Sequence, residues 1–190
     1  MKRLPLLLAA LLALAATLHA GEPPEKWPAA DGKEYTPCSA GDKKAVVFCF
    51  VSPYCPTSSS YIPEMNKIAA DYAAKVAFYF VHSDPDQKLT DILQHTEMMA
   101  IKVPVLLDKD QRLAKQMQAH ITPEVVVRAP TGNILYQGRI NDLYLGPTKK
   151  QRKATTKDLR DALDAIQDNK PVPNAKTDAV GCKISGLAVK

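Results

Sequence analysis

The sequence holds four cysteines, Cys38, Cys49, Cys55 and Cys182, and Cys55 has the neighbours that chemistry needs. It follows an apolar run, Ala45 to Val51 (AVVFCFV), and a Pro-containing turn, and it directly precedes Pro56, a residue suited to the first position of a helix. A cysteine there is expected at a helix N-cap, where unpaired backbone N–H groups and the positive end of the helix dipole favour thiolate over thiol. The thiolate is the form that attacks peroxides and disulfides. Thr57 and Ser58 lie on the same first turn and are expected to offer hydroxyl hydrogen bonds to that sulfur. The alternative for Cys55 is a structural half-cystine or an inert thiol.

The other thiols read differently. Cys182 sits behind Gly181 in an aperiodic tail; it is either a resolving thiol that folds back onto an oxidised Cys55, or half of a static disulfide to Cys38 or Cys55. Cys49 falls inside the apolar run and reads as a small core hydrophobe. Cys38 lies in a polar loop, as a surface thiol or structural partner. No CxxC pair and no zinc-finger spacing is present. His82, His95 and His120 are candidate metal ligands, and His82 closes a strand near the same sheet edge as Cys55, so a soft Cys/His site is weighed against hydrogen-bonded structural roles. The formal net charge is +5, or +3 once Lys2 and Arg3 are set aside, too small to argue for nucleic acid. The basic cluster Lys149, Lys150, Arg152 and Lys153 reads as a solvated loop.

What positions these groups follows from composition and pattern. The chain has 190 residues, 46% apolar and 24% charged, enough for one globular domain. Lys2 and Arg3 precede an apolar run from Leu4 to Leu18 that ends at His19-Ala20, the pattern of a secretory signal peptide cleaved after Ala20. The run falls short of the about 20 apolar residues of a comfortable span, so a periplasmic or secreted protein with no stable membrane span after cleavage is expected. The organisation is then 1–20 signal peptide, 21–170 domain and 171–190 tail. Within the domain, a buried strand at Ala45 to Val51 leads to an amphipathic helix from Pro56 to Ala74, kinked at Pro63. A strand at Val76 to Val81, a helix near Leu89 to Ala100, a strand at Val103 to Leu107 and a short helix from Gln111 to Ala119 continue the alternation of a mostly parallel sheet. Val125 to Arg128 and Ile134 to Gly138 flank a turn and add an antiparallel edge, and Leu159, Ala162, Leu163 and Ile166 form the buried stripe of a last helix.

The segment Val47 to Ser58 (VFCFVSPYCPTS) resembles the strand, turn and active-site helix of the thioredoxin fold, with Cys55 at the first active-site cysteine and Ser58 at the second. Pro63 stands where that fold carries its helix-kinking proline, and Ile121 to Val127 (ITPEVVV) is similar to its cis-proline loop and following strand. The inserted Pro104 to Asp108 is similar to the redoxin branch, the AhpC/TSA peroxiredoxin-like family, over roughly Lys33 to Cys182. The resemblance is strongest to exported bacterial redoxin-domain proteins, with similar segments at Gly138 to Tyr144 and Ala179 to Cys182. It implies an α/β thioredoxin-like fold, peroxiredoxin-like variant, with a mixed central sheet and helices on both faces. It also implies a cis bond at Pro123, a substrate groove shaped by Thr122 and Pro123, and a thiol-dependent oxidoreductase needing no cofactor. Its activity would be that of a peroxiredoxin-like antioxidant or a thiol-disulfide reductase, with Cys55 the nucleophile, a peroxide or protein disulfide as substrate and an external thiol as reductant. Ser58 removes the vicinal dithiol, so Cys55 needs a distant resolving thiol, with Cys182 the internal candidate. Phe48 and Ser52 stand where peroxiredoxins have Pro and Thr, and Arg128 falls beyond the proline loop rather than at the catalytic arginine. A metal carrier similar to the Sco copper proteins is the non-enzyme alternative, although that family's CxxxC pair is missing here.

Overall fold

The computed structural model describes residues 25–187, so the expected signal peptide lies outside the described residues. A two-stranded entry hairpin pairs β1 (Trp27–Pro28) with β2 (Glu34–Tyr35), where the sequence pattern suggests little regular structure. The alternation then runs β3 (Ala45–Phe50), α1 (Pro56–Tyr72), β4 (Val76–His82), α2 (Leu89–Met98), β5 (Val105–Leu107) and α3 (Arg112–Met117). Next come β6 (Ile121–Thr122), β7 (Glu124–Arg128), β8 (Ile134–Gly138), β9 (Tyr144–Gly146), β10 (Lys149–Lys150), α4 (Asp158–Gln167) and β11 (Cys182–Lys183). The central sheet has the order β5-β4-β3-β7-β8; β3, β4 and β5 are parallel, β7 runs antiparallel to β3, and β8 antiparallel to β7. This is the mixed sheet of the expected thioredoxin-like fold.

Every residue of β3 is buried, and its side chains alternate between two cores because a strand turns successive Cβ atoms to opposite faces. Ala45, Val47 and Cys49 pack with Ile62, Met65 and Ile68 of α1 and with Leu159 and Leu163 of α4. Val46, Phe48 and Phe50 face Trp27, Leu113 and Met117 on the other side. Cys49 is a core side chain, and burial pushes its thiol up to about 12, so it keeps its proton. Helices therefore cover both faces, and the C-terminal end of β3 opens where the chain reverses from parallel to antiparallel pairing, the usual place for a ligand.

A buried carboxylate secures the rim. Asp108 accepts hydrogen bonds from the backbone N–H groups of Leu113 and Ala114, each at 2.9 Å, and from the Ser83 hydroxyl at 2.8 Å. These bonds cap α3 and tie it to the loop after β4. Burial pushes the Asp108 carboxyl up, with the two backbone donors pulling it back. Asp108→Ala strands two buried donors and is expected to cost about 2–3 kcal/mol of unfolding free energy in denaturant titrations.

The tail, aperiodic in sequence, is tied down at two places between Ala175 and Lys183. Thr177 N–H donates to Gln137 O, and Gln137 N–H to Ala175 O, which covers the outer edge of β8. The chain then crosses the end of the sheet, and β11 pairs antiparallel with β6, Cys182 opposite Thr122 and Lys183 opposite Ile121.

Candidate active site

Cys55 ends a tight turn after β3, its N–H donating to Ser52 O at 3.2 Å, and stands at the N-cap of α1 with Pro56 next. Its side chain caps no helix N–H. The thiol instead donates to the Thr122 carbonyl oxygen at 3.0 Å, across the loop whose Thr122-Pro123 bond is cis. The thiol is buried, 1% exposed. Glu124 shapes that loop, accepting from the N–H groups of His120 and Ile121 with one carboxylate oxygen and from the Gln137 amide with the other.

β11 brings Cys182 to the same place. It stands opposite Thr122, whose carbonyl takes the Cys55 thiol, and its own thiol is pushed up to about 11, first by partial burial and then by the neighbouring Cys55. Cys182 thus keeps its proton at neutral pH. Gly181 permits this approach: a Cβ there would lie 2.1 Å from the Thr122 carbonyl oxygen. Ile184 anchors the strap, buried among Phe48, Phe50 and Leu113, and its N–H donates to His120 O at 2.9 Å. Beyond it, Gln111 bridges Ser83 O and Ser185 O through its amide nitrogen. Cys55, Cys182, Thr122 and Lys183 line a cavity of about 250 Å³ with Ser52 and Gln87.

The hydroxyls expected around Cys55 are placed differently. Ser58 is fully buried and its oxygen accepts from the Ser52 N–H at 3.2 Å, so it holds the turn rather than the sulfur. No hydrogen bond joins Thr57 to Cys55 among the described residues. The proline loop supplies the acceptor for the Cys55 thiol instead. Cys38 is half-buried and unpaired, and Arg128 donates to its carbonyl oxygen.

Beneath the turn runs a buried polar chain that sequence spacing does not reveal. His82 Nδ1 donates to Gln87 Oε1 at 2.9 Å, and Gln87 Nε2 donates to Ser52 Oγ at 2.9 Å, which also accepts from the Tyr54 N–H. The His95 ring stands edge-on to His82, 5.9 Å between centroids, with Nε2 3.3 Å from Ser59 Oγ. Burial, and then the second imidazole, push His82 down to about 3. Burial also lowers His95. Both rings are neutral at pH 7. Among the described residues, no three His, Cys, Asp or Glu side chains gather into a metal-holding group, and His120 lies on the far side of the proline loop beside Gln118 and Glu124.

Comparison with known proteins places this geometry. A hypothetical protein from Sinorhizobium meliloti 1021 shares 24% identity at a TM-score of 0.74, covering 91% of this chain and 97% of that one. An uncharacterized conserved protein from Geobacillus kaustophilus shares 25% identity at a TM-score of 0.74, covering 88% and 91%. A secreted Mycobacterium tuberculosis disulfide oxidoreductase homologous to E. coli DsbE is similar in fold, with a TM-score of 0.56, 16% identity, and 75% and 96% covered. No curated protein matches the chain. The family model described as AhpC/TSA family matches residues 22–137, which take in the entry hairpin, Cys55 and the cis-proline loop. With more than half of its length matched and a thioredoxin-like sheet around the thiol, the chain belongs to the AhpC/TSA family of redoxins.

Proposed function

We propose that the protein is a thiol-disulfide oxidoreductase whose working couple is Cys55 and Cys182. The observation that carries this is that Cys182 lines the same cavity as Cys55, on a strand that pairs with the cis-proline loop. Cys55, at a helix N-terminus, attacks a substrate disulfide; the distal substrate sulfur leaves with the electron pair and takes up a proton. Cys182 then attacks the Cys55 sulfur, the second substrate sulfur leaves as a thiolate and is protonated, and Cys182 gives up its own proton. The substrate disulfide is reduced by two electrons and the protein is left with a Cys55–Cys182 disulfide, which an external dithiol reduces. Thr122 and Pro123 form the wall against which the substrate sulfur is presented.

Disulfides are favoured over peroxides as substrate because, among the described residues, Lys183 is the sole cation lining the cavity and no guanidinium lines it to polarise a peroxide oxygen. The leader-like run after Lys2 and Arg3 supports a site of action outside the cytoplasm. Among the described residues, no helix is long and apolar enough to cross a membrane. The test supplies dithiothreitol as reductant and compares a protein disulfide with hydrogen peroxide. Disulfide reduction that depends on Cys55 is expected, with peroxide consumption no faster than that of a free thiol. Fast, Cys55-dependent peroxide consumption without disulfide reduction would reverse the assignment.

A further inference from the structure

Cys55 is buried, and what covers it is the chain's own tail in strand form. Cys182 opposes Thr122, the Ile184 N–H donates to His120 O, and the Thr122 hydroxyl donates to Cys182 O at 3.3 Å. A short extended segment thus pairs with the free edge of β6 and delivers a sulfur to Cys55. We infer that this strap is an internal stand-in for the substrate. The external partner is then an extended, cysteine-bearing polypeptide that pairs with Ile121–Thr122 in the same register after displacing residues 181–185. The inference rests on the redox reading of Cys55 and adds to it the shape of the substrate and the gate it must pass.

The shared register couples two steps. While a substrate strand occupies the β6 edge, Cys182 is held away from the mixed disulfide. When the strap returns, the same movement that brings Cys182 onto the Cys55 sulfur evicts the substrate strand, so resolution and release are one event. The anchors suit a strap that opens and recloses. They are a few bonds and one apolar side chain: Ile184 in the core, Gln111 on Ser185 O, and the Ser185 hydroxyl on Asp84. Local opening of so small a unit lies at the low end of the stability range of a folded chain.

The test uses full-length protein carrying Cys182→Ser, which leaves the strap in place without its thiol. The probe is a synthetic peptide of the tail sequence Ala179 to Ser185, its cysteine joined to a coloured aryl thiol as a mixed disulfide. Its partner probe is N-methylated at the isoleucine, which removes the hydrogen bond that the Ile184 N–H makes to His120 O. Adding Gly181→Val, whose side chain collides with the Thr122 carbonyl, is expected to raise the rate of peptide exchange with Cys55 about tenfold or more. Ile184→Ala, milder on folding, is expected to act in the same direction. In the loosened proteins the N-methyl peptide is expected to react roughly three- to tenfold more slowly than the parent, the worth of one backbone hydrogen bond. Equal rates for the two peptides, or rates unmoved by either loosening substitution, would overturn the strap proposal alone. Failure of Cys55 to exchange with both peptides and with a small aryl disulfide in every variant would overturn the redox reading as well.

Discussion

Cys182→Ser is expected to convert the protein into a trap: Cys55 forms mixed disulfides with its substrates and no internal thiol releases them. Turnover with a protein disulfide should fall by about a hundredfold or more, because a solution thiol must replace one held in the same cavity as Cys55. Cys55→Ser is expected to abolish exchange, by about a thousandfold or more, and to leave no trapped complex. The asymmetry between the two variants is what separates nucleophile from resolving thiol. Non-reducing gels with tryptic mapping of the trapped species read it directly. Adducts forming on Cys182 in the Cys55→Ser protein instead would exchange the two roles.

The second large effect is on acid stability. His82 is neutral in the fold, with its proton affinity pushed down to about 3 from an ordinary 6.5, while the unfolded chain takes up a proton near that ordinary value. Above pH 6.5 the ring is neutral in both states and the fold keeps its full stability. As the pH falls from about 6.5 toward 3, the unfolded state binds a proton that the folded state refuses, so stability is progressively lost. At pH 4 the loss from His82 is about 3 kcal/mol, set against a typical total of about 5–15 kcal/mol. His95, also lowered by burial, adds in the same direction. Carboxylates with lowered proton affinity, such as Asp31 and Asp91, contribute only below their ordinary value of 3.8, while Asp108, raised by burial, opposes the histidines by taking up its proton first in the fold, so the share of His82 is read from its own variant. Urea midpoints measured across that window are expected to slope steeply for the wild-type protein and clearly less for His82→Gln. Equal slopes would mean that the ring is protonated within the fold.

Much of this architecture was legible in sequence because it rests on local pattern. The unbroken run at Ala45 to Val51 is what a strand buried on both faces looks like, and Cys55 before Pro56 marks the start of a helix. Pro123 and the Pro130 to Asn133 turn carry their geometry in their residue types. The proposed pair is legible in the sequence as two thiols, but their placement in one cavity is not. Cys55 and Cys182 meet because Gly181 lets two backbones touch and Ile184 finds a place in the core, and neither leaves a periodic signal. The same holds for Gln87, which links His82 to Ser52 across 35 residues of chain. The role of Ser58 is not legible in the sequence, because position on a first turn does not tell which neighbour a hydroxyl serves; in the fold its oxygen accepts from the Ser52 N–H. Polar contacts between distant segments belong to tertiary packing, and only the folded chain displays them.

The most direct test of the Cys55–Cys182 couple is disulfide mapping by mass spectrometry on the wild-type protein, fully reduced and then equilibrated with oxidised glutathione. The expected product is a single Cys55–Cys182 disulfide, with Cys38 and Cys49 remaining as thiols. Recovery of Cys55 as a free thiol, or of Cys182 joined to Cys38, would contradict it.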